Sequence, residues 1–247
     1  MFTIITPYVF DEEIAEFKEN LPWGVPALIE KDTSGIGPDL MYQKLWNSCD
    51  TDVFIMHNDM SPHPEAEDWH EDILEYVEKY PEAGILGLKL LYPHTWNGKS
   101  IIECAGGKFK EDGSPDHYGS GLELFSQQTF KEVEADEGQY NKVREVAWYT
   151  FGGIYIRREV LDQVGDFDPR YIWSYNRDVD YSLEVRKAGW KIYQLPIPMY
   201  HFQSKDVKRI RTQEIIQAEH YNLQILKEKW KDSDLYKTVD KVITDEI

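Results

Sequence analysis

The sequence predicts a single α/β domain built on a Rossmann-like, mostly parallel sheet with helices on both faces. Three observations predict it. Residues 2–56 alternate apolar strand-like runs with helical patterns in the order β-α-β-α-β, the opening of a doubly wound sheet. A second strand–helix series fills Phe151 to His201. The chain has 247 residues, of which 41% are hydrophobic and 29% charged, values that suit one well-filled globular core.

In chain order, Phe2 to Thr6 is a short apolar run broken by Pro7-Tyr8, and reads as a strand buried on both faces. Asp11 to Leu21 has helical spacing at Ile14, Phe17 and Leu21, with acids in its first turn. A turn at Pro22-Trp23-Gly24 leads to a strand from Ala27 to Glu30, then a glycine-bearing loop from Lys31 to Pro38. Leu40 to Cys49 is a helix and Asp52 to Met56 a third strand. Glu65 to Tyr80 is amphipathic, with Trp69, Ile73, Tyr76 and Val77 inward. Gly84 to Tyr92 is a buried strand, and the glycine-rich stretch from Ile101 to Gly119 a β-ribbon with loops, in which His117 reads as a surface turn residue ahead of an acceptor-side one. Ser126 to Asn141 is polar and reads as a flexible loop. Ile154 to Ile156 is a strand; the helix after it stops at Gly165. A second helix begins at Arg177-Asp178 and ends by Gly189. The strand Lys191 to Leu195 precedes Pro196, Pro198 and His201. Lys205, Lys208, Arg209 and Arg211 make a local basic stretch. Thr212 to Trp230 is a helix with apolar positions at Ile215, Ile216, Leu223, Leu226 and Trp230, packed on the domain or serving a homodimer, and the charged tail from Lys231 reads as loosely ordered.

Composition excludes several functions. A net charge of -18 opposes nonspecific binding to nucleic acid or anionic membranes, since basic patches drive both. No window approaches the roughly 20 apolar residues of a membrane span. The amino-terminal residues lack a secretory leader's pattern, and Cys49 and Cys104 lack metal-type spacing. A reduced, cytoplasmic protein is the expectation. There is no G-x-G-x-x-G and no Walker A motif. The chain carries 8 Trp and 16 Tyr, many in loop-like places, which suits stacking against sugars or bases, although core filling explains most of them.

In doubly wound sheets, ligands collect at the carboxyl ends of the strands. Those ends carry Thr6-Pro7-Tyr8, then Glu30 and Asp32, then His57-Asn58-Asp59. Taken alone, Asp59 reads as a turn former before Ser61-Pro62, and His57 equally as a buried, hydrogen-bonded histidine or a ligand contact.

The ordered series Gly152-Gly153, Arg157-Arg158-Glu159-Val160, Val164-Gly165-Asp166-Phe167-Asp168, an aromatic loop (Tyr171, Trp173, Tyr175), Asp178-Val179-Asp180, Arg186-Lys187-Ala188-Gly189 and His201 resembles the carboxy-terminal half of family 2 glycosyltransferases of the GT-A fold. The stretch Gly87 to Gly119 resembles their central segment. Two positions depart: Arg177 stands where the family has Glu, and in His57-Asn58-Asp59, which resembles the family's Asp-x-Asp, His57 replaces the first Asp while Asp59 is kept.

The resemblance implies a GT-A domain over 1–205 and a helical extension over 206–247. It implies transfer of a sugar from a nucleoside diphosphate donor, with UDP favoured, to a carbohydrate or other hydroxyl acceptor. Thr6, Pro7, Tyr8, Glu30, Asp32, His57, Asn58 and Gly153 would hold the donor. Asp59 and His201 would hold Mn²⁺ or Mg²⁺, which would offset the charge problem an acidic protein has with a diphosphate. Asp178 would be the general base of an inverting reaction. If Arg177 shares its cleft, that cation should lower the pKa of Asp178; if it points away, Asp178 simply caps its helix. A nucleotidyltransferase would need a basic glycine-rich loop after the first strand, which Thr6 to Phe10 is not. Two alternatives remain: a retaining transferase, and a non-catalytic carbohydrate- or protein-binding module on the same fold, the latter favoured by the departures at His57 and Arg177.

Overall fold

The structure is a computed structural model and describes residues 1–119, 134–202 and 213–244. Strand β1 (Phe2–Tyr8) lies between β2 (Ala27–Lys31) and β3 (Asp52–Ile55), parallel to both. Helices α1 (Asp11–Glu19) and α2 (Pro38–Trp46) make the crossovers. Six of the seven residues of β1 are buried, as its unbroken apolar run requires of a central parallel strand. Helix α2 begins with Pro38, which has no N–H to leave unsatisfied in a first turn.

After β4 (Met60–Pro62) and α3 (Trp69–Lys79) come β5 (Ala83–Trp96) and β6 (Lys99–Cys104). Strands β7 (Gly107–Phe109) and β8 (Pro115–His117) form a separate ribbon. Strands β9 (Arg144–Val146) and β10 (Ile154–Ile156), helices α4 (Arg158–Val164) and α5 (Arg177–Lys187), strand β11 (Lys191–His201), helix α6 (Gln213–Trp230) and β12 (Asp240–Val242) follow. The main sheet runs β12-β9-β11-β5-β10-β3-β1-β2, with β4 also paired to β11 and β6 to β5. At its centre β11, β5, β3, β1 and β2 point one way, and β10 alone runs against its neighbours. That arrangement is the mostly parallel α/β sheet the sequence predicts.

Two segments differ from expectation. Strand β11 does not end at Leu195. A register shift between Leu195 and Pro198 takes Pro196 and Ile197 out of the ladder as a bulge, where a missing N–H is harmless, and the strand resumes. Met199, Tyr200 and His201 then pair with Pro62, Ser61 and Met60 of β4. The tail is not all loose either, because Asp240–Val242 adds an antiparallel strand to β9. Helix α6 buries Ile225, Leu226 and Trp230 in a small core with Trp148, Tyr171, Val179 and Leu183. Part of the polar loop is built in: Asp136 and Asn141 each take a hydrogen bond of 2.6 Å from buried Lys89. The basic stretch from Lys205 to Arg211 lies outside the described residues. Among the described residues no helix is long and apolar enough to cross a membrane.

Candidate metal centre and active site

The β4–β11 pairing sets His201 beside the turn that leaves β3, so residues far apart in sequence meet at the carboxyl ends of the strands. His57, Asp59 and His201 each offer a ligand atom there, all within 4.8 Å of one another. His57 Nδ1 is 3.3 Å from His201 Nε2, which is also 3.3 Å from an Asp59 oxygen.

Each imidazole is fixed by its other nitrogen. His57 Nε2 lies 2.7 Å from the Phe151 carbonyl, to which it donates, leaving the Nδ1 lone pair facing the group. His201 Nδ1 lies 2.8 and 2.9 Å from the two carboxylate oxygens of Glu103, leaving Nε2 facing the group. Carboxylate or carbonyl behind histidine behind metal is how protein metal sites orient their ligands. The second oxygen of Asp59 is buried with no hydrogen-bond partner. An orphaned buried carboxylate oxygen is costly, and a cation beside it would satisfy it. Two imidazoles and a carboxylate form a donor set suited to a borderline divalent ion. The residues therefore fit a metal.

Electrostatics agree. Burial raises the Asp59 carboxyl, but the His201 ring beside it more than offsets this and holds it below the usual range. Burial opposes charge on His201, yet Glu103 and Asp59 overcome it and hold the ring protonated well past the ordinary histidine range. Burial and then the His201 charge push His57 down. Without a cation, the His201 proton is the positive charge between two carboxylates.

Small residues make room for the histidines. A Cβ on Gly152 would come 3.0 Å from His57 Cε1. Gly153 has φ +68° and would meet Leu90 and Met60 at 2.9 Å, so a side chain there is excluded twice over. Its N–H and carbonyl are spent on Ile55 and Leu88.

On the donor side, the hydroxyl of fully buried Thr6 donates to the Met56 carbonyl at 2.8 Å. Asp32 accepts the amides of Ser34, Gly35, Ile36 and Gly37, so its carboxylate shapes the loop entering α2; burial opposes but those amides hold it below its usual range. Glu30 pairs with Lys44.

Asp178 lies in the first turn of α5, half-buried, and accepts the Val179 amide at 2.9 Å. Burial pushes it up to about 6. The lowering expected from Arg177 does not occur, because that guanidinium turns inward and donates to the Tyr171 carbonyl. Arg177 instead tempers Asp39, a buried carboxylate that burial, and then the Asp178 charge, raise to about 7. Asp180 is committed elsewhere: it accepts from Lys229 at 2.8 Å and from the Trp230 indole at 2.7 Å, tying α5 to α6. His117 is not a surface turn residue. It is half-buried in β8, edge-on to Trp148 at 4.9 Å, with Nδ1 3.2 Å from Cys104 Sγ.

The sequence reading placed Asp59 and His201 together, and the structure adds His57 to them. It missed Glu103, whose partner lies 98 residues away, and Asp39, which reads as an ordinary first-turn acid. The signal for Glu103 was there: it is one acid inside the otherwise apolar run Ile101-Ile102-Glu103-Cys104-Ala105.

No protein-family description and no curated protein matches the sequence. Among solved structures the chain is similar to GalNAc-T7 crystallised with UDP, GalNAc and Mn²⁺, with 9% identity and a TM-score of 0.59 over 81% of this chain and 43% of that one. It also aligns with the catalytic domain of Drosophila beta1,4-galactosyltransferase 7 in complex with xylobiose (13% identity, TM-score 0.46, 90% of this chain and 78% of that one). A third is A197 from STIV (12%, 0.44, 83% and 87%). The chain spans less than half of the GalNAc-T7 chain. At 9% identity the likeness is one of fold, and the fold is that of the GT-A-type glycosyltransferases.

Proposed function

We propose that the protein is a metal-dependent glycosyltransferase that moves a sugar from a nucleoside diphosphate donor, with UDP favoured, to a hydroxyl acceptor with inversion. The observation that carries this is the convergence of His57 Nδ1, His201 Nε2 and Asp59, with one Asp59 oxygen left unsatisfied, at the carboxyl ends of a GT-A-type sheet. The structural neighbour GalNAc-T7 was crystallised with UDP and Mn²⁺, which supports the same pairing here.

His57, Asp59 and His201 would hold the ion, Mn²⁺ or Mg²⁺. When bound, it supplies Lewis-acid stabilisation of the charge that grows on the departing diphosphate. Glu103 and the Phe151 carbonyl keep both imidazoles in the ligating tautomer. Tyr8, Glu30 and Asn58 line the nucleoside side. Asp32 gives the loop its shape, while Pro7, Thr6 and Gly153 would serve the donor side through packing and backbone. Asp178 takes the proton of the acceptor hydroxyl as the new bond forms. A carboxyl at about 6 is ionised at neutral pH and still more basic than an exposed aspartate. Residues 1–205 are the catalytic unit, and α6 braces it through Asp180.

The test is UDP release from UDP-glucose, UDP-galactose, UDP-GlcNAc and UDP-GalNAc with Mn²⁺. Slow hydrolysis of at least one is expected, lost in EDTA and in Asp59→Ala. No UDP release from any donor contradicts the reading.

A further inference from the structure

We propose that loop 171–176 is a preformed platform for a sugar acceptor: Trp173 offers its ring to a pyranose face, and Asn222 of α6 is the positioning residue that locks the loop. This rests on the transferase reading and names the acceptor class.

The loop holds three non-glycine residues in the left-handed region, Trp173 (φ 62°), Tyr175 (φ 68°) and Asn176 (φ 63°). L side chains avoid that conformation, and clusters of it persist only where surrounding structure enforces it. Here the enforcer is one side chain. Asn222 is fully buried, and its Oδ1 accepts the Ile172 amide at 2.9 Å. Its Nδ2 donates to the carbonyls of Ile172, Ser174 and Tyr175 at 2.8, 2.7 and 3.1 Å. Both polar atoms of a buried amide are spent on the backbone of one loop.

What the loop presents is apolar and open. Ile172 is 47% and Trp173 38% exposed, while Tyr171 behind them is buried in the core shared with α6. An indole fixed at the surface loses little further freedom on binding, which is the advantage of a preorganised contact. Its position is informative. Trp173 packs against Gly37, where a Cβ would lie 3.7 Å from its ring, at the end of the loop shaped by Asp32. Three residues later Asn176 occupies the position that precedes α5, and Asp178 stands in that helix's first turn. The indole thus touches the donor-side loop and belongs to the segment that leads directly into the helix turn of the proposed base, which is where we place the acceptor. A pyranose matches it, with a flat C–H face for the ring and hydroxyls at its edge for Asp178.

The experiment uses the full chain with UDP and Mn²⁺, titrated by saturation-transfer NMR with methyl glycosides of xylose, glucose, galactose and GlcNAc and the matching disaccharides. At least one sugar is expected to bind. Trp173→Ala should weaken it about tenfold or more, equivalent to about 1.4 kcal/mol, and Trp173→Phe should largely keep it. Trp173→Gly should lose the sugar yet raise the melting temperature, because glycine accepts the left-handed backbone. Asn222→Ala should raise the sugar's dissociation constant about tenfold while UDP affinity stays within about twofold. The proposal is overturned if no sugar binds while UDP does, if binding survives Trp173→Ala, or if Asn222→Ala weakens UDP and sugar equally. Trp173-dependent sugar binding in a protein that does not bind UDP would support the platform and overturn the transferase reading.

Discussion

Replacing Glu103 by Gln tests the metal centre from behind. Glu103 is buried, 6% exposed, and both carboxylate oxygens lie within 2.9 Å of His201 Nδ1. Glutamine keeps the size and one acceptor oxygen but removes the charge that makes the imidazole a stronger ligand. Loss of such a supporting partner typically costs about 10- to 100-fold in metal affinity, or roughly 1.4–2.7 kcal/mol. Burial, which leaves little water to screen the lost charge, puts the expectation toward the upper end. Glu103 also favours the protonated ring, which must give up its proton to bind metal, so the loss is best read at pH 8, where proton competition is weakest. The assay is a Mn²⁺ titration followed by electron paramagnetic resonance of the free ion, with a thermal melt in EDTA alongside. An unchanged Mn²⁺ affinity with a lowered melting temperature would refute the reasoning, since Glu103 would then hold the fold and not a metal ligand.

Other substitutions separate the remaining roles. Asp178→Asn should keep UDP and Mn²⁺ binding and lose transfer by about 100- to 10,000-fold, while wild-type turnover should fall as pH drops through about 6, where Asp178 is protonated; a flat pH profile or an active Asn variant would place the base elsewhere. Asp39 is raised to about 7, so stability should fall as pH rises from about 4 to 7, with the full penalty above that. Asp39→Asn should then stabilise the protein more at pH 8 than at pH 5, by about 3 kcal/mol for the two pH units between 5 and 7 at about 1.4 kcal/mol per tenfold; equal melting shifts at both pH values would contradict this. Gly152→Ala should displace the His57 ring by a few tenths of an ångström and weaken Mn²⁺ binding several-fold with little loss of stability, which a metal titration and a melt together check.

The parts of the fold legible in the sequence were those written in local pattern. Alternating apolar and helical runs gave β1, β2 and β3 with their crossovers, because each element buries its own contiguous residues. The stop at Gly165 was legible because the residue there has φ +79°, which glycine accepts freely. What failed was written across the chain. Pro196 and Pro198 read as a strand terminator, and only the neighbouring ladder shows that a bulge absorbs Pro196 with Ile197 while Pro198 resumes the pairing opposite Lys89. Arg177 beside Asp178 read as a cation beside a base, but consecutive residues of a helical turn point in different directions, and its partner is a carbonyl six residues back. Asp178 was set apart from Asp180 only by the family resemblance, and local pattern gave no hint that Lys229 and Trp230 engage Asp180. The metal group was half legible: Asp59 and His201 stand at strand ends, whereas Glu103 sits inside a strand and is defined by what faces it.

Calorimetry of UDP binding with Mn²⁺, in EDTA, and in Asp59→Ala and His201→Ala tests the central claim most directly. The structure sets two imidazoles and a carboxylate at the strand ends of a protein with net charge -18, so a diphosphate should bind there only with a divalent cation. The account predicts binding with Mn²⁺ that EDTA abolishes and that each substitution weakens at least tenfold, about 1.4 kcal/mol, in a protein that remains folded. UDP binding of equal strength in EDTA and in both variants would contradict it.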